Sequence, residues 1–155
     1  MNEAAFTALC KAYMDGLYRI SLSILHAHQD AQDAVQQALL KAWTARAKAR
    51  PGCERAWLTR IVINECRSIQ RQRLRVFPVE TLPERPCHLP DSTLRDATDA
   101  LPELLRLPLL LKYMEGMSEK EAAQALGVTV TVLKGRLFRA RKALGKLLNE
   151  EVELG

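Results

Sequence analysis

The run KGRLFRARKALGK, residues 134–146, carries six basic side chains, Lys134, Arg136, Arg139, Arg141, Lys142 and Lys146, and no acidic one. Cations at that density on one helix suit phosphates, which they neutralise while neighbouring side chains reach base edges. On a 3.6-residue wheel Leu133, Leu137, Ala140, Leu144 and Leu147 fall on one stripe, so that side is core. The opposite side presents Thr131, Lys134, Gly135 and Phe138 in its first turns, flanked by Arg136, Arg139, Arg141 and Lys142. A recognition helix in the major groove touches bases with its N-terminal residues while flanking cations meet phosphates. A plain solvated face has the same spacing. The absence of interleaved acids, and small Ala123 four residues before Gly127, which allows close helix approach, favour DNA.

A second polar stripe joins Arg60, Asn64, Arg67 and Arg71 at spacings of four, three and four, with Ser68 beside it, and the same segment continues through Arg73 and Arg75 without an acid. Asparagine amides bond base edges, and arginines clamp phosphates or stack on unpaired bases; an ordinary exposed face has the same pattern. A third stripe, Asp30, Asp33, Gln37 and Leu40, sets an exposed leucine beside two carboxylates. That leucine is either without consequence or part of a small protein-docking face. His26, His28 and His88 lie in or near connections with no acid or nucleophile constellation, so no catalytic residues are expected and an enzyme is disfavoured. Cys10, Cys53, Cys66 and Cys87 are scattered, with no CxxC pair, which argues against a zinc site; no metal or cofactor is expected.

These stripes need helices to carry them. The chain has 155 residues, a formal charge of +5, few glycines and 48% hydrophobic residues, a composition that favours an all-α fold in one or two small domains. Apolar periodicity predicts helices over 3–27, 30–48 and 54–75, with Pro51 and Gly52 breaking the chain and Glu65 interrupting the apolar face of the third. Three more are expected over 96–115, 119–126 and 130–149. Gly116 closes the first of these, and Ser118 with Glu121 forms a capping box at the start of the second. The last two, joined at Gly127, make a helix-turn-helix. Between the halves, Pro78, Pro83, Pro86 and Pro90 deny regular structure, and a flexible linker is expected over 76–95. No run approaches a membrane span and the N-terminal residues include acids, so neither direct membrane insertion nor a signal peptide is expected. The thiols read as reduced, in a cytoplasmic protein.

With these residues in place, the chain resembles the bacterial sigma factors of the sigma-70 family, specifically the short extracytoplasmic-function (ECF) group. LYRISLSILHAHQDAQDAVQQALLKAW resembles the family's region two, AWLTRIVINECRSIQRQR the helix after it, and LPELLRLPLLLKYMEGMSEKEAAQALGVTVTVLKGRLFRARKAL its region four. The resemblance implies two small helical domains: residues 1–75 a region-two three-helix bundle for core polymerase and the minus-10 element, and residues 96–155 a region-four helix-turn-helix for the minus-35 element. Residues 76–95 would be the linker between them. It implies that Asp30, Asp33, Gln37 and Leu40 dock on core RNA polymerase. Arg60, Asn64, Arg67, Ser68 and Arg71 would then hold the melted minus-10 element of promoter DNA, with Ala49 to Glu54 as the adjoining loop. Thr131, Lys134, Gly135, Arg136, Phe138, Arg139 and Arg141 would read the minus-35 duplex. An anti-sigma factor, in this family often membrane-bound, is an implied partner. The sequence departs from the family at Gln32 and Gln37, where glutamates are common, in the turn Thr129 to Val132, and at Gly135, where a serine is usual. The competing reading is a stand-alone helix-turn-helix regulator that does not engage polymerase as a sigma factor. Such a protein has no need of the Asn64 stripe.

Overall fold

The computed structural model describes residues 1–76 and 93–154, and every regular element among them is helical. The order is α1 (Glu3–Leu25), α2 (His28–Thr44), a 3-10 turn (Arg46–Lys48), α3 (Glu54–Val76), α4 (Thr93–Asp99), α5 (Glu103–Leu109) continued by a π turn (Leu110–Met114), α6 (Glu119–Leu126) and α7 (Val130–Leu154). The chain divides into two compact units, one built on α1, α2 and α3, the other on α4, α5, the start of α6 and α7. The linker expected over 76–95 lies, for residues 77–92, outside the described residues. Its last residues, from Thr93, are the first turn of α4.

In the first unit each of the three helices packs on the other two. Leu17, Ile20 and Ile24 of α1, Ala31, Ala34, Val35, Ala38 and Ala42 of α2, and Ala56, Leu58, Val62, Ile63 and Cys66 of α3 form the core. The alanine row on α2 lets its backbone approach its neighbours closely, and the larger residues of α1 and α3 fill the space. Local chemistry sets the ends. The Asn2 Oδ1 accepts from the Ala5 N–H at 2.8 Å at the start of α1. At its far end His26 takes the left-handed conformation, φ 57°, and donates its N–H to the Leu22 carbonyl. Expected to reach residue 48, α2 instead stops at Thr44. There Arg46 folds back, its Nη1 donating to the Trp43 carbonyl at 2.8 Å and its guanidinium lying 3.8 Å from the centre of the Trp43 ring. Glu65 has its partner across the bundle: it accepts from Lys41 Nζ of α2. His28 is hydrogen-bonded to the Tyr18 hydroxyl.

In the second unit the helix expected over 96–115 is two helices. Pro102 has no N–H and disfavours helical geometry in Leu101, so α4 ends before it and α5 starts after it. The buried Leu101 carbonyl is satisfied by Arg106 Nη1 at 2.9 Å, which explains an arginine only 2% exposed. Pro108 lies inside α5, and the following turn widens: the Glu115 N–H reaches back five residues to the Leu110 carbonyl, and the Met117 N–H to Leu111. Gly116, φ 68°, closes it. Leu107 and Leu111 from this element, Leu101, and Leu133, Leu137 and Ala140 of α7 build the core, with α7 packed on α5 and α4.

Cys10, Cys53 and Cys66 form no disulfide among the described residues, and burial pushes the Cys10 thiol above its ordinary value. No described helix is long and apolar enough to cross a membrane, and among the described residues no cluster of side chains could hold a metal.

Leu58 is fully buried at the centre of the first unit. Leu58→Ala should destabilise that unit by about 2–5 kcal/mol, because the removed atoms leave a cavity. Both tryptophans, Trp43 and Trp57, lie in the first unit, so the urea midpoint of tryptophan fluorescence is the measurement. An unchanged midpoint contradicts the packing described.

Candidate nucleic-acid interface

Two exposed polar stripes stand on two helices, one in each unit. On α7 the N-terminus is set by Thr129, whose Oγ1 accepts from the Val132 N–H at 3.2 Å and whose carbonyl accepts from Leu133. The preceding turn is closed by Gly127 at φ 70°, and Ser118 caps α6 through the Glu121 N–H at 3.1 Å. With Leu133, Leu137 and Ala140 each 0% exposed, the rotation of α7 is fixed, and the stripe loosens toward half-buried Leu144 and Leu147. Thr131, Lys134, Phe138, Arg139 and Arg141 are exposed, while Gly135 and Arg136 are half-buried. Phe138 is 65% exposed among cations, a costly place for an aromatic ring in water and a good one for a thymine methyl.

The charge on this face is not as free as the local sequence indicates. An acid comes from α6. Glu119 Oε1 accepts from Lys112 Nζ at 2.7 Å, and its Oε2 lies 3.9 Å from Lys134 Nζ. The hydrogen bond from Lys112 holds the Glu119 carboxyl below its ordinary value against partial desolvation, with Lys134 and Arg141 adding to the lowering. A carboxyl lowered in this way contributes stability at neutral pH that is lost as the pH falls through its folded-state value. Two turns beyond Lys134, Arg141 Nη1 donates to the Tyr113 hydroxyl of the π turn. Glu119 and Tyr113 escape a linear reading because their partners are 15 and 28 residues away.

On α3 the buried residues Leu58, Val62 and Cys66 recur at intervals of four and leave Arg60, Asn64 and Arg71 exposed, with Arg67 and Ser68 half-buried. The structure thus brings the five residues of the second stripe to one side of one helix. The turn leading into α3 has proline followed by a left-handed glycine: Gly52 is at φ 83°, and the Cys53 N–H donates to the Arg50 carbonyl at 3.0 Å, as in a type II turn. Glu54 steadies it by accepting from the Gly52 N–H at 3.0 Å.

The stripe on α2 is divided. Leu40, 63% exposed, and Gln37 and Asp33 face outward, with Asp33 accepting from Gln29. Asp30 is engaged within the fold: it pairs with Arg73 of α3, whose other nitrogen donates to the Leu25 carbonyl at 2.9 Å. One guanidinium therefore joins the end of α1, the start of α2 and the last turns of α3.

Asp30 is more than a third exposed, so its pair with Arg73 is only partly shielded from water. Asp30→Ala should lower the stability of the first unit by about 1 kcal/mol, measured by urea denaturation, because half-buried Arg73 loses a charged partner. No loss of stability makes the residue a surface group alone.

Comparison with known proteins bears on the whole arrangement. Residues 9–76 match the family Sigma-70 region 2, and residues 92–144 match Sigma-70, region 4. The chain is 33% identical to the ECF RNA polymerase sigma factor EcfG of Rhodopseudomonas palustris, over 88% of this chain and 81% of the relative. It is 27% identical to the ECF RNA polymerase sigma factor SigE of Mycolicibacterium smegmatis over 88% of its own length, and spans 58% of that relative. Among solved structures, the sigma factor RpoE of Bartonella quintana, crystallised with the anti-sigma factor NepR, aligns with a TM-score of 0.79 at 28% identity, covering 94% of this chain and 97% of that one. With both regions matched in order on a chain whose described elements are all helical, the protein belongs to the ECF group of the sigma-70 family and is an alternative sigma factor, which directs RNA polymerase to its promoters.

Proposed function

We propose that the two units divide promoter recognition between duplex and strand-parted DNA, and that the chain does so as an adapter of core RNA polymerase in the cytoplasm, with no chemistry of its own. The observation that carries this reading is the pair of polar stripes, one on α7 and one on α3, each opposite a fully buried apolar stripe. The second unit reads the minus-35 duplex through Thr131, Lys134, Gly135, Arg136, Phe138, Arg139 and Arg141. The half-buried Gly135 offers no side chain, which leaves direct base contact to its neighbours. The first unit holds the melted minus-10 element on Arg60, Asn64, Arg67, Ser68 and Arg71. Extruding a base costs a few kcal/mol, which a protein without fuel must recover from contacts to the unpaired strand and from polymerase.

Docking on polymerase falls to Asp33, Gln37 and Leu40, with Asp30 serving the fold as well. Since RpoE is crystallised with an anti-sigma factor, we assign the chain a partner of that kind, which holds it inactive until released. A stand-alone regulator leaves the Asn64 stripe without a task.

The test is promoter opening by the purified chain with core polymerase, read by permanganate on unpaired thymines. Asn64→Ala should reduce reactivity near the start site at least severalfold and leave upstream duplex protection intact. Unchanged reactivity removes Asn64 from this role. On duplex alone, Lys134→Ala and Arg139→Ala should each weaken binding and lower the slope of log affinity against log salt by about 0.9, one phosphate contact apiece. Wild-type affinity and slope in both variants contradict the assigned reading face.

A further inference from the structure

The recognition helix contains no acid between Lys134 and Lys146, yet an acid stands beside its first cation. Glu119 opens α6, one residue after the Ser118 cap, and its carboxylate is anchored by Lys112 at 2.7 Å with both side chains under a third exposed. The second oxygen is 3.9 Å from Lys134 Nζ, which is itself 65% exposed. Lys134 is thus restrained from behind while its ammonium remains open to solvent. Arg141, about 10.5 Å further along the same flank of α7, is restrained in turn by the Tyr113 hydroxyl.

We propose that Glu119 is a specificity-determining positioning residue: anchored on Lys112, it confines the Lys134 ammonium to the edge of the α7 reading face and opposes its use on arbitrary phosphates. The inference rests on the assignment of Lys134 to duplex reading. An unrestrained lysine reaches any phosphate within its sweep and adds to binding without regard to sequence. A carboxylate behind it acts twice. It narrows the sweep, and it competes with phosphate for the ammonium, so that phosphate contact by Lys134 is offset unless base contacts from the first turns of α7 seat the helix in one register. Glu119 therefore gives up affinity for DNA in general and widens the gap between the right duplex and the rest.

The experiment uses the full chain and two duplexes, one of random sequence and one enriched by the wild-type chain from a randomised pool, with anisotropy as readout. Glu119→Gln retains an acceptor for Lys112 and removes the charge. It should tighten binding to the random duplex about three- to tenfold, and shrink the enriched-to-random affinity ratio by a similar factor. Glu119→Asp, which keeps the charge, should stay within about twofold of the wild-type ratio. In a Lys134→Ala background Glu119→Gln should leave the ratio unchanged, because the group it positions is gone.

An unchanged ratio in Glu119→Gln overturns the proposal, as does a shift that persists without Lys134. Equal weakening on both duplexes together with a lower melting temperature reduces Glu119 to a structural ion pair and overturns it too. If Lys134→Ala alone leaves both affinities at wild-type values, the reading face itself is wrong and the proposal falls with it.

Discussion

Everything on the second unit depends on the rotation at which α7 is locked. Successive side chains on a helix are separated by about 100°, so burying Leu133, Leu137 and Ala140 completely dictates where every other residue points. Rolling the helix by one position would bring Phe138 or Lys134 into the core and Leu137 into water, a loss of several kcal/mol in apolar burial and charge desolvation. The outward face of α7 is thus specified by the residues buried beneath it. The same logic holds on α3, where Leu58, Val62 and Cys66 are sealed inside and Asn64 with its arginines is what remains outside.

Charge is placed at the joints between elements. Arg73 ties three helix ends together, Arg106 satisfies the carbonyl left open by Pro102, Lys41 supports Glu65 across the bundle, and Lys112 fixes Glu119 beside the recognition helix. Exposed ion pairs contribute little to stability singly. Their weight here is geometric: each fixes an angle or an end that apolar contact, being non-directional, leaves loose. A protein whose task is to hold a polar face rigid within each unit has reason to use them.

Much of this was legible in one dimension, and the reasons are local. The starts of α3 and α6 follow from Gly52 and Ser118, whose turn or capping chemistry spans four residues or fewer. Both basic stripes follow from 3.6-residue periodicity. Long-range partners were hidden. Glu65 reads as an unexplained acid on an apolar face until α2 brings Lys41 to it, and Lys134 reads as an unopposed cation until α6 brings Glu119. The uninterrupted leucine periodicity around Pro102 suggested one helix where there are two, while Pro108, an equally strong breaker, is absorbed by widening a turn. Proline forbids a hydrogen bond but does not decide how the chain recovers, and that is settled by packing. Asp30 shows the complementary limit: its place on the outward stripe was visible, its bond to Arg73 was not.

The account makes the chain a promoter-reading adapter of a larger machine, and run-off transcription with purified core polymerase and a promoter library tests that claim most directly. Sequencing the 5′ ends of the transcripts should reveal start sites that core polymerase alone does not use, sharing upstream sequences at a fixed spacing. If adding the chain yields no new start sites while the chain still binds duplex DNA, the account is contradicted, and the protein is a DNA-binding regulator that works without polymerase.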